Sequence, residues 1–199
     1  MTSFADLSTV ALSGYIFVEP IYQGTRTRVY RAVETATQQT VVIKILSQKY
    51  PSFSEIVQFR NQYTITQNLP IRGIVKPLSL KPDGNGYGLV MEDFGGISLE
   101  SYAQQFSISL TEIFDIAIQL ANILHELHQY RIIHKDIKPA NILIHPNSQQ
   151  IKLIDFGIAS LLPKETQAIQ SPKNLEGTLA YLAPEQTGRM NRAIDYRTD

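Results

Sequence analysis

The first quarter of the chain alternates hydrophobic and polar positions, which is the pattern of half-buried β-strands. Over residues 15–46, β-branched and aromatic residues alternate with polar ones, and the alternation breaks near Gly24 and again at residues 37–39. A period of two places successive side chains on opposite faces of a sheet. This segment therefore predicts three short antiparallel strands, and residues 74–91 predict two more around a turn at residues 82–86.

Two other segments have the period of an amphipathic helix. In residues 51–69, apolar side chains, Phe53 and Val57 among them, recur at helical spacing. The spacing of Ser109 and Glu112 is that of a capping box, in which both side chains accept hydrogen bonds from backbone N–H groups at a helix start. The stripe that follows predicts a long helix with one buried face, formed by Ile113, Ile116, Ala117, Leu120, Ile123, Leu124 and Leu127.

The composition narrows the classes of protein to which the chain can belong. With 199 residues, 43% of them apolar and 18% charged, the chain can form one core or two small lobes. Eighteen Lys and Arg offset eighteen Asp and Glu, so no field of one sign favours nucleic acid or an anionic membrane. There is no Cys, no secretory leader and no apolar run of the roughly 18–20 residues that cross a bilayer. We therefore expect a cytoplasmic protein without a nucleic-acid partner or membrane insertion.

The strongest candidate for chemistry is the stretch 132–141, which reads Ile-Ile-His-Lys-Asp-Ile-Lys-Pro-Ala-Asn. If His134 and the apolar pair before it anchor a loop, Asp136 can accept a proton. Lys138 can neutralise anionic oxygen, and Asn141 can coordinate a hard cation. An ordinary turn is the alternative, because proline and asparagine are common turn residues.

A second motif, Asp155-Phe156-Gly157, follows a short apolar stretch. The two motifs in this order resemble those of eukaryotic-type (Hanks-type) protein kinases, which are a standard example of enzymatic phosphoryl transfer. The roles implied are carried over from that family. The resemblance implies that Asp136 orients the acceptor hydroxyl and that Lys138 supplies charge. It also implies that Asn141 and Asp155 hold Mg²⁺ and that ATP is the phosphoryl donor.

The strand at residues 41–44 ends in a single cation, Lys44. In kinases a Lys at this place grips the α- and β-phosphates of ATP, whereas a lone strand Lys otherwise points to solvent. The family pairs this Lys with a Glu on the next helix, and the residue at the matching distance, eighteen positions after Lys44, is Gln62. An amide can hydrogen-bond the ammonium group but cannot neutralise it. Glu55, two helical turns earlier on the same face, is a poor substitute.

The turn at residues 21–29 aligns with the glycine-rich phosphate loop of the family, although only the middle glycine, Gly24, is present. Tyr22 and Thr27 replace the other two glycines, which would stiffen the loop. A plain hairpin with Gly24 at a positive φ angle is the alternative reading of the same residues.

The resemblance also implies an adenine pocket. Met91 would limit the space behind the adenine, and Leu143 would form the floor of the pocket. Backbone groups of Glu92 and Phe94 would hydrogen-bond the purine edge. The glycines at 95–96 could instead be a flexible linker between lobes, and both interpretations can hold together. The residues implied to contact the nucleotide are Ile21, Gly24, Val29, Val42, Lys44, Met91, Glu92, Phe94 and Leu143.

A polar segment with Thr166 and Ser171 leads from the Asp-Phe-Gly motif to residues 177–185, which end in Ala-Pro-Glu. This arrangement resembles the activation segment of kinases. Thr178 and Lys138 follow the Ser/Thr kinase pattern and not the Tyr kinase pattern. A protein substrate with a Ser or Thr hydroxyl acceptor is therefore implied.

The resemblance implies an α+β, bilobal protein-kinase-like fold. An N-terminal leader at 1–13 would precede a small lobe at 14–92, with five antiparallel strands and a helix, and a mostly helical large lobe at 93–199. Asp199 matches the Asp that begins the central helix of the large lobe and hydrogen-bonds the catalytic-loop backbone. We therefore expect the large lobe to be incomplete at this residue.

Two stretches, residues 59–63 and 185–192, look like the N-terminal kinase domain of large cyanobacterial-type proteins. Those proteins also carry an ATPase module, a GAF sensor domain and a histidine kinase, so further domains of the same polypeptide are expected as partners. His125 and His128 lack a Cys or acidic partner at ligand spacing, and we expect them to cap or pack and not to bind metal.

The leading hypothesis is a Ser/Thr protein kinase region that transfers the ATP γ-phosphoryl group. The alternative is a nucleotide-binding or interaction module with little turnover, which Gln62 and the glycine-poor loop favour. A small-molecule phosphotransferase of related fold is a third possibility, although residues 177–185 favour protein substrates.

Overall fold

The structure is a computed structural model that describes residues 11–162, 177–187 and 193–199. The predictions for Thr166 and Ser171, and most of the 185–192 stretch, lie outside the described residues. No helix within the described ranges is long and apolar enough to cross a membrane. The chain divides into two compact units, of which the first is Met1–Gln67 with Val75–Phe94 and the second is Asn68–Ile74 with Gly95–Asp199.

The first unit contains the five-stranded antiparallel sheet that the alternating pattern predicts. Its strands are β1 (Tyr15–Gln23), β2 (Thr27–Glu34), β3 (Thr40–Leu46), β4 (Pro77–Asp83) and β5 (Gly86–Glu92). They lie in the order β1-β2-β3-β5-β4, with every pair antiparallel. The fourth strand starts later than residue 74, because Ile74 belongs to the second unit and forms a bridge with Leu153.

A hydrophobic core covers one face of this sheet. Tyr30 and Ala32 of β2 are fully buried, whereas the residues between and beside them are half-buried. Leu12, which lies in the predicted N-terminal leader, is also buried and packs against Gly88, where an added Cβ would lie 3.1 Å from its Cδ2 atom. The core consists of Leu12, Tyr30, Ala32, Val41, Ile43, Ile45 and Val90.

Helix α1 (Phe53–Thr66) is shorter than predicted because a capping box fixes its start. The side chain of Ser52 accepts a hydrogen bond from the Glu55 N–H, and the Glu55 carboxylate accepts one from the Ser52 N–H at 2.8 Å. These bonds to Ser52 lower the pKa of Glu55. The predicted apolar pattern was wrong at Phe53 and Val57, which are exposed. The buried face consists of Phe59, Gln62 and Thr66.

The second unit combines two helices, α2 (Leu99–Gln105) and α3 (Leu110–Gln129), with short strands. The strands are β6 (Ile97–Ser98), β7 (Ile132–Ile133), β8 (Ile142–Ile144), β9 (Ile151–Leu153) and β10 (Ser160–Leu161). Strands β6, β8 and β9 form one sheet, and β10 pairs with β7 in another. Strands β7 and β8 therefore anchor the two ends of the candidate loop.

Helix α3 begins at the predicted capping box. The Glu112 carboxylate accepts a hydrogen bond from the Ser109 N–H at 2.8 Å, and bonds from Ser109 hold the pKa of Glu112 below its usual value. The buried face is narrower than predicted, because Ile113 is 50% exposed and Ala117 is exposed as well. The buried residues of the helix are Ile116, Ile123 and Leu127.

Candidate active site

The side chain of Asp136 is the centre of a hydrogen-bonded cluster in the second unit. Its Oδ2 atom accepts from Lys138 Nζ at 2.7 Å and from Asn141 Nδ2 at 2.8 Å. Its Oδ1 atom accepts from the Thr178 N–H and from the Thr178 hydroxyl, both at 3.1 Å. We call Asp136, Lys138, Asn141 and Thr178 the catalytic-loop cluster. The structure thus brings together the three predicted catalytic residues and the threonine of the Ser/Thr pattern.

Lys138 bridges two members of this cluster. Its ammonium group donates to Asp136 and also to the Thr178 hydroxyl oxygen, at 2.5 Å. The Thr178 hydroxyl can therefore donate its hydrogen to Asp136 while its oxygen accepts from Lys138. An alcohol group is held between a carboxylate and a cation, which is the environment that proton removal from an alcohol requires.

The backbone of the loop is held by a buried carboxylate, Asp199. Its Oδ2 atom accepts from the His134 N–H at 2.8 Å, and its Oδ1 atom accepts from the Lys135 N–H at 2.7 Å. Lys135 has a φ angle of 68°, which is unusual for a residue with a side chain. The two bonds stabilise that conformation, and the expectation that Asp199 hydrogen-bonds the loop backbone is confirmed.

His128 supports the loop, a role that the sequence did not indicate. Its Nε2 atom lies 3.2 Å from Asp199 Oδ2, and its ring packs against that of Tyr196 at 4.9 Å between centroids. The expectation that it packs is confirmed, but its bond to the carboxylate that holds the loop was missed. Nothing in the sequence shows this contact, because the two residues are 71 positions apart.

His134 connects the loop to the Asp-Phe-Gly motif. It is fully buried, its Nε2 atom lies 3.0 Å from the Ile154 carbonyl oxygen, and its ring contacts Phe156 at 4.7 Å. Its Nδ1 atom accepts from the Asp136 N–H at 3.3 Å. Burial lowers the pKa of His134, against the opposing effects of the Ile154 carbonyl and nearby carboxylates. A neutral imidazole with its hydrogen on Nε2 satisfies both contacts.

The predicted metal ligands are Asn141 and Asp155. The Asn141 side chain donates through Nδ2 to the carbonyl oxygen and to the carboxylate of Asp136, so Oδ1 is the atom that can face a cation. The Asn141 carbonyl oxygen accepts from the Ile154 N–H at 3.0 Å, and Asp155 is the residue that follows Ile154. Two oxygen ligands suit Mg²⁺, which keeps several waters and substrate phosphates. Among the described residues, no group of three or more His, Cys, Asp or Glu could hold a metal ion.

In the first unit, Lys44 contacts the predicted partner. Its Nζ atom donates to Gln62 Oε1 at 3.0 Å, and the Gln62 Nε2 atom lies 3.9 Å from the Met91 sulfur. An ammonium group cannot accept a hydrogen bond, so the amide must turn its oxygen to Lys44 and its N–H toward the thioether. Gln62 and Met91 are both buried. We call Lys44, Gln62 and Met91 the lysine cluster, and Glu55 lies outside it because Ser52 holds its carboxylate at the helix cap.

Both clusters lie within a stretch of the chain that matches a known protein family. The family model of the protein kinase domain matches residues 15–199. The chain belongs to the protein kinase domain family.

Curated relatives of this kinase-domain chain include several bacterial serine/threonine-protein kinases. A probable serine/threonine-protein kinase of Clostridium acetobutylicum is 31% identical over 195 residues, 97% of this chain and 29% of that protein. PrkC of Bacillus subtilis is 33% identical over 86% of this chain and 26% of its own length. PknA of Mycobacterium tuberculosis is 31% identical over 89% of this chain and 42% of its own length. The chain therefore spans less than half the length of these relatives.

Four residues that the kinase resemblance assigns to the nucleotide lie on one face of the sheet. Val29 pairs with Lys44 across β2 and β3, and Val42 pairs with Met91 across β3 and β5. Directly opposed residues share a face, and Val42 and Lys44 share one because they are two positions apart. The described structure thus supports a common surface for Val29, Val42, Lys44 and Met91.

In the predicted phosphate loop, the reason for a glycine at position 24 is not the positive φ angle that the plain-hairpin alternative supposes. Gly24 is not among the residues with positive φ, so that alternative is wrong on this point. The Tyr22 ring lies over it, and an added Cβ would be 2.5 Å from the Tyr22 hydroxyl. The loop is closed by the Gly24 N–H bond to the Thr27 carbonyl at 2.9 Å. Ile21 is 47% exposed on β1, beside a register shift between Pro20 and Tyr22.

The predicted kinase hinge follows β5. The Glu92 N–H donates to the Lys76 carbonyl at 3.0 Å, and the Lys76 N–H donates to the Glu92 carboxylate at 3.0 Å. Phe94 ends the first unit, and Gly95, with a φ angle of 71°, begins the second part of the other unit. Leu143 belongs to the second unit, where it is half-buried between two buried isoleucines of β8.

Proposed function

We propose that the chain is the catalytic region of a serine/threonine protein kinase, which transfers the γ-phosphoryl group of ATP to a Ser or Thr hydroxyl of a protein. The observation that carries the proposal is the contact of the Thr178 hydroxyl with both Asp136 and Lys138. That contact demonstrates that an alcohol fits between the two groups. A substrate hydroxyl would take the same place.

Each group of the catalytic-loop cluster has a distinct role in the proposal. Asp136 orients the acceptor hydroxyl and accepts its proton, and Lys138 stabilises negative charge that develops on the transferred group. Asn141 and Asp155 would hold Mg²⁺, which neutralises phosphate oxygens when it is bound. Because Asp136 is held by four hydrogen bonds, its position costs little reorganisation at the moment of transfer.

The nucleotide would be held by residues of the first unit. We propose that Lys44 binds the α- and β-phosphates, that Gly24 and Ile21 lie over the phosphates and sugar, and that Val29 and Val42 contact the base. Since the Glu92 N–H is engaged with Lys76, a purine contact at Glu92 would use its carbonyl group. Phe94 would supply the second backbone contact, and Met91 would limit the back of the pocket.

The organisation of the whole protein is part of the same proposal. We infer a leader at 1–13, a small lobe at 14–92 and a large lobe from 93, in a protein that acts in the cytoplasm. Protein substrates and further domains of the same polypeptide, of the cyanobacterial type with ATPase, GAF and histidine-kinase modules, are the proposed partners.

A nucleotide-binding module with little turnover is the second candidate. The neutral partner of Lys44 favours it, because Gln62 leaves the ammonium charge without an opposite charge from helix α1. Phosphoryl-transfer assays separate this candidate from the first, since it predicts ATP binding without transfer.

The decisive variant is Asp136→Asn in the full-length protein. We expect turnover to fall by at least about a hundredfold, because the amide cannot accept the proton, while the affinity for Mg·ATP stays unchanged. Asp115→Asn, which alters an exposed carboxylate of α3, is the matched control and should behave like the parent. Near-normal transfer by Asp136→Asn would refute the assignment of Asp136.

A further inference from the structure

A cavity of about 270 Å³ lies in the first unit, where β2 begins, β3 ends and β4 turns into β5. It is separate from the lysine cluster, none of whose residues lines it. Its lining includes two cations, one acid, one aromatic ring and two glycines of the turn, namely Arg28, Lys49, Asp83, Tyr87, Gly84 and Gly86.

Arg28 is the residue that makes this cavity chemically unusual. It pairs with Ile45 across β2 and β3, so it extends the buried row that Tyr30 and Ala32 form on the same face. In the described part of the chain, its Nε atom is buried and has no hydrogen-bond partner. A buried N–H group without an acceptor is unfavourable, and a ligand oxygen would satisfy it.

The surroundings of the cavity are cationic and are held in place. The Asn85 side chain donates to the Lys49 carbonyl at 3.0 Å, which ties the β4–β5 turn to the segment after β3. Tyr87 lies on the β4–β5 hairpin, and the guanidinium group of Arg60, a residue of α1, lies 5.8 Å from the centre of its ring. The lining contains one acid, Asp83, and two cations, Arg28 and Lys49, so its net charge is positive.

We propose that this cavity binds a phosphate group, carried either by free inorganic phosphate or by a phosphorylated Ser or Thr side chain. A guanidinium group presents its N–H donors in a planar fork that matches the oxygens of phosphate. The guanidinium group of Arg28 would turn toward the ligand so that Nε gains an acceptor, Lys49 would add charge, and Asp83 would limit the affinity by repulsion. The site lies beyond the proposed phosphoryl-transfer function, because no nucleotide contact is assigned to any of these residues.

The test is a titration of the full chain with inorganic phosphate, followed by NMR, with Mg·ADP present at saturation to occupy the nucleotide site. We expect a saturable shift of the Arg28 Nε–Hε signal and of the Gly84 and Gly86 amides. Arg28→Gln should weaken phosphate binding by at least about tenfold because it removes the fork. Lys81→Gln removes an exposed charge from the same hairpin, outside the lining, and should leave binding unchanged.

A second variant acts in the opposite direction, so that a loss of folding cannot imitate it. Asp83→Asn removes the repelling charge and should tighten phosphate binding by about threefold or more. Absence of a saturable shift in the parent, equal affinity in Arg28→Gln, or no tightening in Asp83→Asn would each overturn the proposal. None of these readings depends on turnover, so they stay separate from a failure of the proposed kinase activity.

A parallel titration with blocked phosphoserine identifies the source of the phosphate. Tighter binding of phosphoserine than of inorganic phosphate supports a site for a phosphorylated protein segment. The reverse order supports a site for the free ion. In either case, Arg28→Gln should abolish the difference in affinity between phosphoserine and inorganic phosphate.

Discussion

The catalytic-loop cluster of the second unit and the lysine cluster of the first unit hold a charged side chain in opposite ways. Asp136 receives four hydrogen bonds, one of them from a cation, and its loop is anchored by the buried Asp199. Lys44 donates to the neutral amide oxygen of Gln62, and the N–H end of that amide faces the thioether of Met91, a weak acceptor.

The difference is that a cation contacts Asp136, whereas the partner of Lys44 on helix α1 is a neutral amide. Charge-assisted hydrogen bonds are roughly twice as strong as neutral ones, so the carboxylate of Asp136 is held firmly in place. In the lysine cluster, the contact of Lys44 with helix α1 depends on the orientation of one amide. Substitutions in the two clusters should therefore differ in size, and four predictions test the comparison from the largest effect to the smallest.

Replacing Asp199 by Asn should have the largest effect on stability. One of the two loop N–H groups would then face an amide N–H group in a fully buried place. We expect the free energy of unfolding to fall by about 2–4 kcal/mol, as measured by chemical denaturation. The control Asp115→Asn should change it by less than about 0.5 kcal/mol, because that carboxylate is exposed. A similar small change in Asp199→Asn would remove the claim that this carboxylate anchors the loop.

Replacing Gln62 by Ala should reduce turnover by roughly tenfold, because the ammonium group of Lys44, which we propose binds the phosphates, loses a hydrogen bond. Gln62→Glu should keep or raise turnover, since a carboxylate still accepts from Lys44 and adds the opposite charge. Gln58→Ala, on the same helix, is the control. Full turnover in Gln62→Ala would mean that the amide does not position Lys44.

The stability of the catalytic loop should depend on pH through His134. Burial lowers the pKa of this histidine in the folded protein, so the unfolded chain binds the proton first as pH falls. The free energy of unfolding should therefore decrease below about pH 6.5, by up to about 1.4 kcal/mol per pH unit, and stop responding above it. Denaturation from pH 5 to 8 measures the slope.

His134→Gln should flatten that slope relative to the parent, whereas His125→Gln, at an exposed position of α3, should not. NMR titration of the His134 ring provides an independent reading. An unshifted or raised pKa there would contradict the neutral imidazole.

Met91→Leu should have the smallest effect. It removes the sulfur that faces the Gln62 N–H and keeps the volume of the side chain. We expect a loss of about 0.5–1 kcal/mol in the free energy of unfolding and a modest loss of turnover. In the Gln62→Ala background the same substitution should cost less, since the contact is already absent. Equal costs in both backgrounds would show that the sulfur does not orient the amide.

The sequence was a good guide where an interaction is local. The capping boxes of α1 and α3, at Ser52 and at Ser109, join residues three positions apart, and the second was predicted from its spacing alone. The sheet strands were predicted because alternation is a property of neighbouring residues. The extent of the buried faces was predicted less well, as Phe53, Val57 and Ile113 show, because burial depends on what packs against a helix.

By itself, the sequence determined the five strands, the two long helices, the order of the kinase motifs and the identity of the residues in both clusters. Only the tertiary structure decided that His128 contacts the Asp199 carboxylate, that the Met91 sulfur faces the Gln62 amide, and that, among the described residues, the Nε atom of Arg28 is buried without a hydrogen-bond partner. The physical reason is separation along the chain. Hydrogen bonds between residues 29 to 71 positions apart leave no periodic trace in a sequence, because only folding brings those atoms within reach.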